Sequence, residues 1–384
     1  MEMLFWLLVS IGAFLCFSYF LLIASYCYGW TQMNDSDLVL NTSVVVSVIV
    51  AARNEELNLK KCLDAILLQN YPKEKLEILV VDDHSDDSTL EIIRSYAEKN
   101  SCVKCLSLPE NSVGKKRAIS LAIASSKGEL IVTTDADCVM GINWLSSIVS
   151  FYKKTEAKMI VGPVSFYNEN SIFEKMQSLE FMALISSGGA SLYFKKAIMG
   201  NGANLAFTKE LFNELKGFDE KDKKASGDDV LLMYKINRKH PGEVHFLKND
   251  QAIVFTNAKE TLNEFLQQRK RWASKDFFAL NSETKRVSML IYLFNAYLLI
   301  VPIIGGVCFA NKPIYPLFIG ICLILIGIKC FIDFLLLFLS ASFFKRKSLL
   351  VFFLPEQIIY MVYVVFVGLL GSIGKYEWKG RKTN

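Results

Sequence analysis

The sequence predicts an α/β domain with a mainly parallel sheet flanked by helices, joined to transmembrane helices. Three observations carry this expectation. Charge is missing from several long stretches of a chain that is 52% hydrophobic with a mean hydropathy of +0.30. Between the first two of those stretches, short β-branched runs alternate with segments of helical period. Acidic pairs close the ends of those runs, at the edge where ligands bind in parallel α/β sheets.

The apolar stretches come first in the argument. Residues 3–34 and 287–311 carry no charge; 313–344 carry only Lys329 and Asp333, and 348–374 only Glu356. A helix needs about 20 apolar residues to cross a bilayer, so 4–28, 287–310, 314–340 and 349–373 qualify by length. The first has no basic leader and no small-residue cleavage site, so it reads as an anchor. Pro355 and Glu356 leave open whether the last segment crosses fully or starts at the interface. Lys329 and Asp333, at i and i+4 within a span, predict a structural ion pair. The expected organisation is an anchor at 1–30, a domain at 44–275, a basic juxtamembrane segment at 276–286, about three apolar helices in 287–374 and a basic tail at 375–384. Basic residues at 269–286 and at Lys345, Arg346 and Lys347 place the domain in the cytoplasm by the positive-inside rule, on a multi-pass protein of the cell membrane.

Within the domain, "VVVSVIVAA" (44–52) reads as a buried parallel strand. Residues 56–70 fit a helix with Leu59, Leu63, Ile66 and Leu67 on one face. "LEILVVDD" (76–83) is a second strand, and Asp86, Asp87 and Ser88 open a helix running to Lys99. "VKCLSL" is a third strand, Gly114 precedes a helix near 115–126, and "ELIVTTDAD" is a fourth strand. No G-x-G-x-x-G or G-x-x-x-x-G-K-[ST] is present, which disfavours dinucleotide and P-loop folds. The net charge of +5 is accounted for by juxtamembrane residues and gives no case for nucleic acid. Of nine cysteines, Cys16, Cys27, Cys308, Cys322 and Cys330 lie in apolar spans, and Cys102 and Cys105 form a lone C-x-x-C without the second pair a zinc site needs.

"GELIVTTDADC" (128–138) holds the most informative chemistry. In an extended chain Asp135 and Asp137 share a face, and two nearby anions repel unless something positive lies between them. A hard cation such as Mg²⁺ or Mn²⁺ would serve, completed by substrate phosphates. An isolated D-A-D also reads as a solvated turn, so its neighbours have to decide.

Those neighbours resemble one family: the membrane-integrated, inverting glycosyltransferases of family 2, which include cellulose, hyaluronan and poly-N-acetylglucosamine synthases and ceramide glucosyltransferases. Over residues 44–275, "VSVIVAARNEE" with "ILVVDDHSDDST", then "TTDADC", "SGDDVLL" (226–232) and "QRKRW" (268–272) stand in that family's order. The resemblance implies a GT-A-type nucleotide-diphospho-sugar transferase fold. It implies Mg²⁺ or Mn²⁺ on Asp137 and Asp135, and an NDP-sugar donor, expected as a UDP-sugar. Ala51, Arg53 and Glu55 would surround the nucleoside, Asp83 would accept from the uracil imide, and Lys115 matches the family's G-K-x-x-A lysine. Ser120 stands where the family often has Asn.

In the same resemblance Asp229 is the catalytic base and Asp228 takes the place of the family's usual Glu. Ser226 would cap the helix that follows, whose apolar face is Leu231, Leu232 and Ile236. Gly202, Ala203 and Asn204 of "GNGANLAF" (200–207) match the acceptor-side loop. Gln268, Arg269, Arg271 and Trp272 complete the set, the arginines as donors to diphosphate and Trp272 as a flat face for a sugar ring. The expected activity is transfer of a sugar to a lipid-linked or growing saccharide acceptor at the bilayer. The alternative is a non-catalytic nucleotide- or polymer-binding membrane receptor on the same fold; Asp137 and Asp229 argue against it.

Overall fold

The structure is a computed structural model describing residues 2–33, 43–218, 228–273, 281–371, 376–378 and 381–383. In chain order the elements are α1 (Glu2–Gln32), β1 (Val46–Ala52), α2 (Leu59–Leu67), β2 (Leu76–Asp82), α3 (Thr89–Lys99), β3 (Val103–Ser107), α4 (Lys115–Ser125), β4 (Leu130–Asp135), β5 (Val139–Met140) and α5 (Trp144–Thr155). Then follow β6 (Met159–Val161), β7 (Val164–Tyr167), α6 (Ile172–Tyr193), β8 (Leu205–Thr208), α7 (Lys209–Glu214), α8 (Asp228–Lys239), β9 (Val244–Phe246), β10 (Val254–Asn257) and α9 (Leu262–Ala273). The chain continues with α10 (Ser282–Phe309), α11 (Tyr315–Phe343), α12 (Phe353–Gly371) and the short strands β11 (Tyr376–Trp378) and β12 (Arg381–Thr383).

The chain divides into two compact units. The α/β unit holds residues 33–169, 191–258 and 375–384; the helical unit holds 1–32, 170–190 and 259–374. These compact units cut across the expected span of 44–275. Residues 170–190 and the helix bearing Q-R-K-R-W group with the apolar helices, because their side chains pack there.

The main sheet of the α/β unit runs β3-β2-β1-β4-β8-β6-β9. Strands β1 to β4 are mutually parallel, with Val46 opposite both Leu76 and Leu130. Val46, Val48, Ile49 and Val50 are all buried, as befits a strand covered on both faces. The chain moves from β1 to β2 on one side and later to β4 on the other, so a crevice opens at the carboxyl ends of β1 and β4. Beyond β4 the sheet is not parallel. Strand β8 runs antiparallel to β4, pairing Thr133 with Leu205, and β6 runs antiparallel to β8. That reversal positions the site, because it brings the start of β8 beside the end of β4. A second sheet, β5-β10-β7, adds a smaller layer. The helix expected at 56–70 is shorter, Leu59–Leu67, and buries Leu59, Cys62, Leu63 and Ile66.

Among the described residues of the helical unit, four helices are long and apolar enough to cross a membrane: Glu2–Gln32, Ser282–Phe309, Tyr315–Phe343 and Lys347–Leu369. Two glycines let bulky rings approach. A Cβ at Gly12 would lie 2.4 Å from the Tyr297 hydroxyl, and one at Gly305 would lie 1.9 Å from the Phe318 ring. Tyr297 donates to the Leu8 carbonyl at 2.9 Å, so α1 and α10 meet through a hydrogen bond as well. The expected pair forms: Lys329 Nζ lies 2.7 Å from Asp333 Oδ2 and donates to Gln357 Oε1 at 2.5 Å. Tyr19 donates to the other Asp333 oxygen at 2.7 Å. Three helices, α1, α11 and α12, thereby satisfy one buried charge pair, which an apolar setting requires.

Candidate active site

Asp135 and Asp137 come together, but not by strand alternation. Strand β4 ends at Asp135, and a turn through Ala136 and Asp137 follows, closed by the Cys138 amide donating to the Asp135 carbonyl at 3.1 Å. Ligand atoms of Asp135, Asp137 and Cys138 all lie within 4.8 Å of one another. Lys115 answers part of the repulsion, its ammonium sitting 2.5 Å from Asp135 Oδ1. It does so from the first residue of α4, where the helix N-terminus adds positive potential.

Two thiols back this pair. Cys138 Sγ donates to Asp137 Oδ1 at 3.7 Å, and Cys62 Sγ to the Asp135 carbonyl at 3.5 Å. Burial, then the Asp137 and Asp135 carboxylates, push both thiols above their ordinary range. The charged donors for an ion are the Asp135 and Asp137 carboxylates, with Cys138 Sγ beside them. That set suits a hard divalent cation such as Mg²⁺ or Mn²⁺, with further positions left for phosphate and water.

The nucleoside-side residues line the neighbouring strand ends. Ala51 pairs with Val81 on one side and Asp135 on the other. Arg53 Nη1 donates to the carbonyls of Asp83 at 2.7 Å and His84 at 2.9 Å, tying the loop after β1 to the loop after β2. Glu55 follows in the same loop, its amide donating to Thr89 Oγ1 at 2.8 Å and its carboxylate accepting from Asn58 at 3.0 Å. Asp83 is buried; its amide donates to the Ala52 carbonyl at 2.9 Å and its Oδ2 accepts from the Gly114 amide at 3.1 Å. Gly114 has a φ of 100°, open to glycine alone at little strain, and it delivers Lys115 to Asp135.

The third part is built by β8 and α8. Thr133 donates to the Gly202 carbonyl at 2.9 Å, and the Gly202 amide donates to Asp229 Oδ2 at 2.9 Å. A Cβ at Gly202 would stand 3.4 Å from both the Asp229 carboxylate and Lys115 Nζ, so these two charged groups flank one glycine. A small cavity is lined there by Lys115, Thr133, Gly202, Leu205, Asp229 and Leu232 among others. Helix α8 starts at Asp228 as expected, and Leu232 and Ile236 are buried. Ser226 and the Asp228 side chain lie outside the described residues.

Two expected substrate ligands are instead scaffold. Asn204 is buried, donates to the carbonyls of Pro163 at 2.8 Å and Ala252 at 2.9 Å, and accepts from Trp144 Nε1 at 3.0 Å. Its neighbour Ala203 is buried too. In the helical unit Arg269, 2% exposed, pairs with Glu180 Oε2 at 2.5 Å. Its guanidinium is held by a carboxylate of the same unit. Gln268 accepts from Arg269 at 3.2 Å, and Trp272 has Arg269 at 4.2 Å over its ring and Phe181 stacked at 6.1 Å. The indole expected as a flat face for a sugar ring is half-buried, with these two side chains against it. Arg271, about 200° around the helix from Arg269, is half-buried and stays a candidate. Sequence reasoning missed Glu180 and Thr133. Glu180 lies in a mainly apolar helix outside any motif, and Thr133 opens TTDADC as a strand residue with no charge to mark it.

A nucleotide-type crevice, paired carboxylates and a mixed sheet of this order define a GT-A-like glycosyltransferase. Residues 47–216 match the family model described as "Glycosyl transferase family 2", so the chain carries a family 2 domain and is a glycosyltransferase. It is 26% identical over 372 residues to the probable glycosyltransferase YdaM of Bacillus subtilis, covering 88% of this chain and 86% of that one. It is 26% identical over 258 residues to the poly-beta-1,6-N-acetyl-D-glucosamine synthase of Staphylococcus epidermidis, covering 65% of this chain and 60% of that one. Among solved structures, a mannosyltransferase from Pyrobaculum calidifontis in complex with GDP-Man and Mn²⁺ shares the fold, with a TM-score of 0.57 and 19% identity. That match covers 94% of this chain and 99% of the other.

Asn204→Ala tests the scaffold assignment. It leaves Trp144 Nε1 and the Ala252 carbonyl without the partner Asn204 gives them, at roughly 1–3 kcal/mol each, while the Pro163 carbonyl keeps the Val254 amide. Thermal unfolding of the detergent-solubilised protein should therefore fall by several degrees with NDP affinity kept. Unchanged stability with lost NDP binding would return Asn204 to the substrate.

Proposed function

We propose that this glycosyltransferase moves a sugar from an NDP-sugar to a lipid-linked or saccharide acceptor with inversion at the anomeric carbon. The observation that carries this reading is the meeting of Asp135, Asp137, Lys115 and Asp229 around the carboxyl end of β4. A divalent ion on Asp137 and Asp135 would supply positive charge to the diphosphate as it leaves. The chain's own residues do the rest. Lys115 stands beside Asp135 and Gly202, where its ammonium offsets leaving-group charge. Asp83 and Arg53 tie the loops that would receive the nucleoside, expected as uridine.

Asp229 takes the acceptor proton. The acceptor oxygen bonds to the anomeric carbon as the bond from that carbon to the diphosphate breaks, and the nucleoside diphosphate departs with the electron pair. The Gly202 amide on Oδ2 and the Val230 amide on Oδ1 at 2.8 Å fix the carboxylate for that task. The assignment of the base to Asp229 and not Asp228 follows the family resemblance. N-acetylglucosamine is the first sugar to test, since the Staphylococcus relative is named for its polymer. The α/β unit works in the cytoplasm, as the basic residues beside the apolar helices direct.

Three measurements test this reading. With UDP-N-acetylglucosamine and GDP-mannose in a donor panel, EDTA should abolish turnover and Mn²⁺ or Mg²⁺ restore it; full activity in chelator would remove the metal. Asp137→Ala should weaken NDP binding as well as rate. Asp229→Asn should lose about 10²–10⁴-fold in turnover while still binding NDP, and Asp228→Asn should lose less. Near-normal turnover in Asp229→Asn would move the base elsewhere. For orientation, an impermeant thiol reagent should fail to label Glu98→Cys on intact cells, and efficient labelling would place the domain outside.

A further inference from the structure

Glu180 lies in α6, outside every motif, and both of its carboxylate oxygens are used. Oε2 pairs with Arg269 Nη2 at 2.5 Å, and Oε1 accepts from the Tyr363 hydroxyl at 2.9 Å. The side chains of Glu180 and Arg269 are 7% and 2% exposed, so the pair is dry. A buried guanidinium keeps its place only while a carboxylate stays beside it.

Arg269 in turn organises its own motif. It donates to Gln268 Oε1 at 3.2 Å and lies over the rings of Trp272 at 4.2 Å and Phe265 at 4.7 Å. A cation over an indole holds that ring in one attitude. The residue after Glu180 joins in, since Phe181 stacks on Trp272 with an interplanar angle of 29°. Two consecutive residues of α6 therefore grip the Q-R-K-R-W helix, one through Arg269 and one through Trp272. Tyr363 of α12 fixes Glu180 from the other side, and its ring also meets Phe265 at 5.4 Å.

We propose that Glu180 is a positioning residue for acceptor transfer, fixing Arg269 and through it the attitude of Trp272 on the Q-R-K-R-W helix. The proposal rests on the reading of Trp272 as an acceptor-recognition residue. It gives the first arginine of the motif an inward, organising task.

The test separates transfer from donor cleavage in the full-length protein in detergent. UDP-N-acetylglucosamine is supplied alone, so that hydrolysis is read, or with a total polar lipid extract or free N-acetylglucosamine as acceptor. Glu180→Gln should raise the apparent KM for acceptor by on the order of tenfold, the worth of a charged hydrogen bond, with hydrolysis within about twofold of wild type. Tyr363→Phe, which removes one neutral donor, should have a smaller effect. Glu180→Gln combined with Arg269→Gln should be no worse than Arg269→Gln alone, because the two act as a unit.

A second readout needs no turnover. In protein labelled with 5-fluorotryptophan, the Trp272 resonance (assigned through Trp272→Phe) should move in Glu180→Gln while the other four hold. A wild-type acceptor KM, an equal fall in hydrolysis and transfer, or an unmoved Trp272 resonance would each overturn the proposal. If wild-type protein turns over no NDP-sugar, the proposed function fails instead, and the fluorine spectrum alone judges Glu180.

Discussion

The α/β unit depends on how it holds several carboxylates together at one sheet edge. Asp83, Asp135, Asp137 and Asp229 all stand near the carboxyl ends of β1, β2 and β4 or the elements that face them. Unrelieved, such a group would repel and spread. Lys115 on Asp135, the Gly114 amide on Asp83 and the Gly202 amide on Asp229 each remove part of the repulsion. Two of these come from the same turn, where Gly114 takes a left-handed φ so that α4 can begin beside the carboxylates. The chain's own groups therefore hold these carboxylates together.

The antiparallel strand β8 supplies the other half of the geometry. Were it parallel to β4, its first residues would lie at the opposite end of the sheet from Asp135. Running antiparallel, it delivers Gly202 to Thr133 and so to Asp229 on α8. Asn204 then locks this turn to three separate segments through Trp144, Pro163 and Ala252. Rigid support of this kind lets a carboxylate act as a base without searching for its orientation.

The helical unit solves a related electrostatic problem in an apolar setting. Lys329 with Asp333 and Arg269 with Glu180 are both pairs whose spare oxygens are capped by tyrosine hydroxyls, Tyr19 in one case and Tyr363 in the other. Burying charge costs several kcal/mol per ion, and only full hydrogen bonding offsets it. With their hydrogen-bonding partners, both pairs link helices distant in sequence, so they specify which helices meet as well as how tightly.

Much of this was legible in the chain itself. Charge-free stretches announced the long apolar helices, because bilayer-length segments must exclude charge. β-branched runs marked β1, β2 and β4, because a sheet covered on both faces tolerates little else. The order of acidic motifs pointed to the family, and the i, i+4 spacing of Lys329 and Asp333 to their pairing. Three things waited for the tertiary structure. The reversal of β8 between β4 and β6 depends on long-range pairing that no local period records. Asp135 and Asp137 meet through a turn, whose path is set by the Cys138 amide and not by strand alternation. Asn204 and Arg269 look like ligands in sequence, since amides and guanidinium groups bind substrates and scaffolds with the same chemistry. Only burial beside Trp144 and Glu180 decides between those two uses, and burial belongs to the fold.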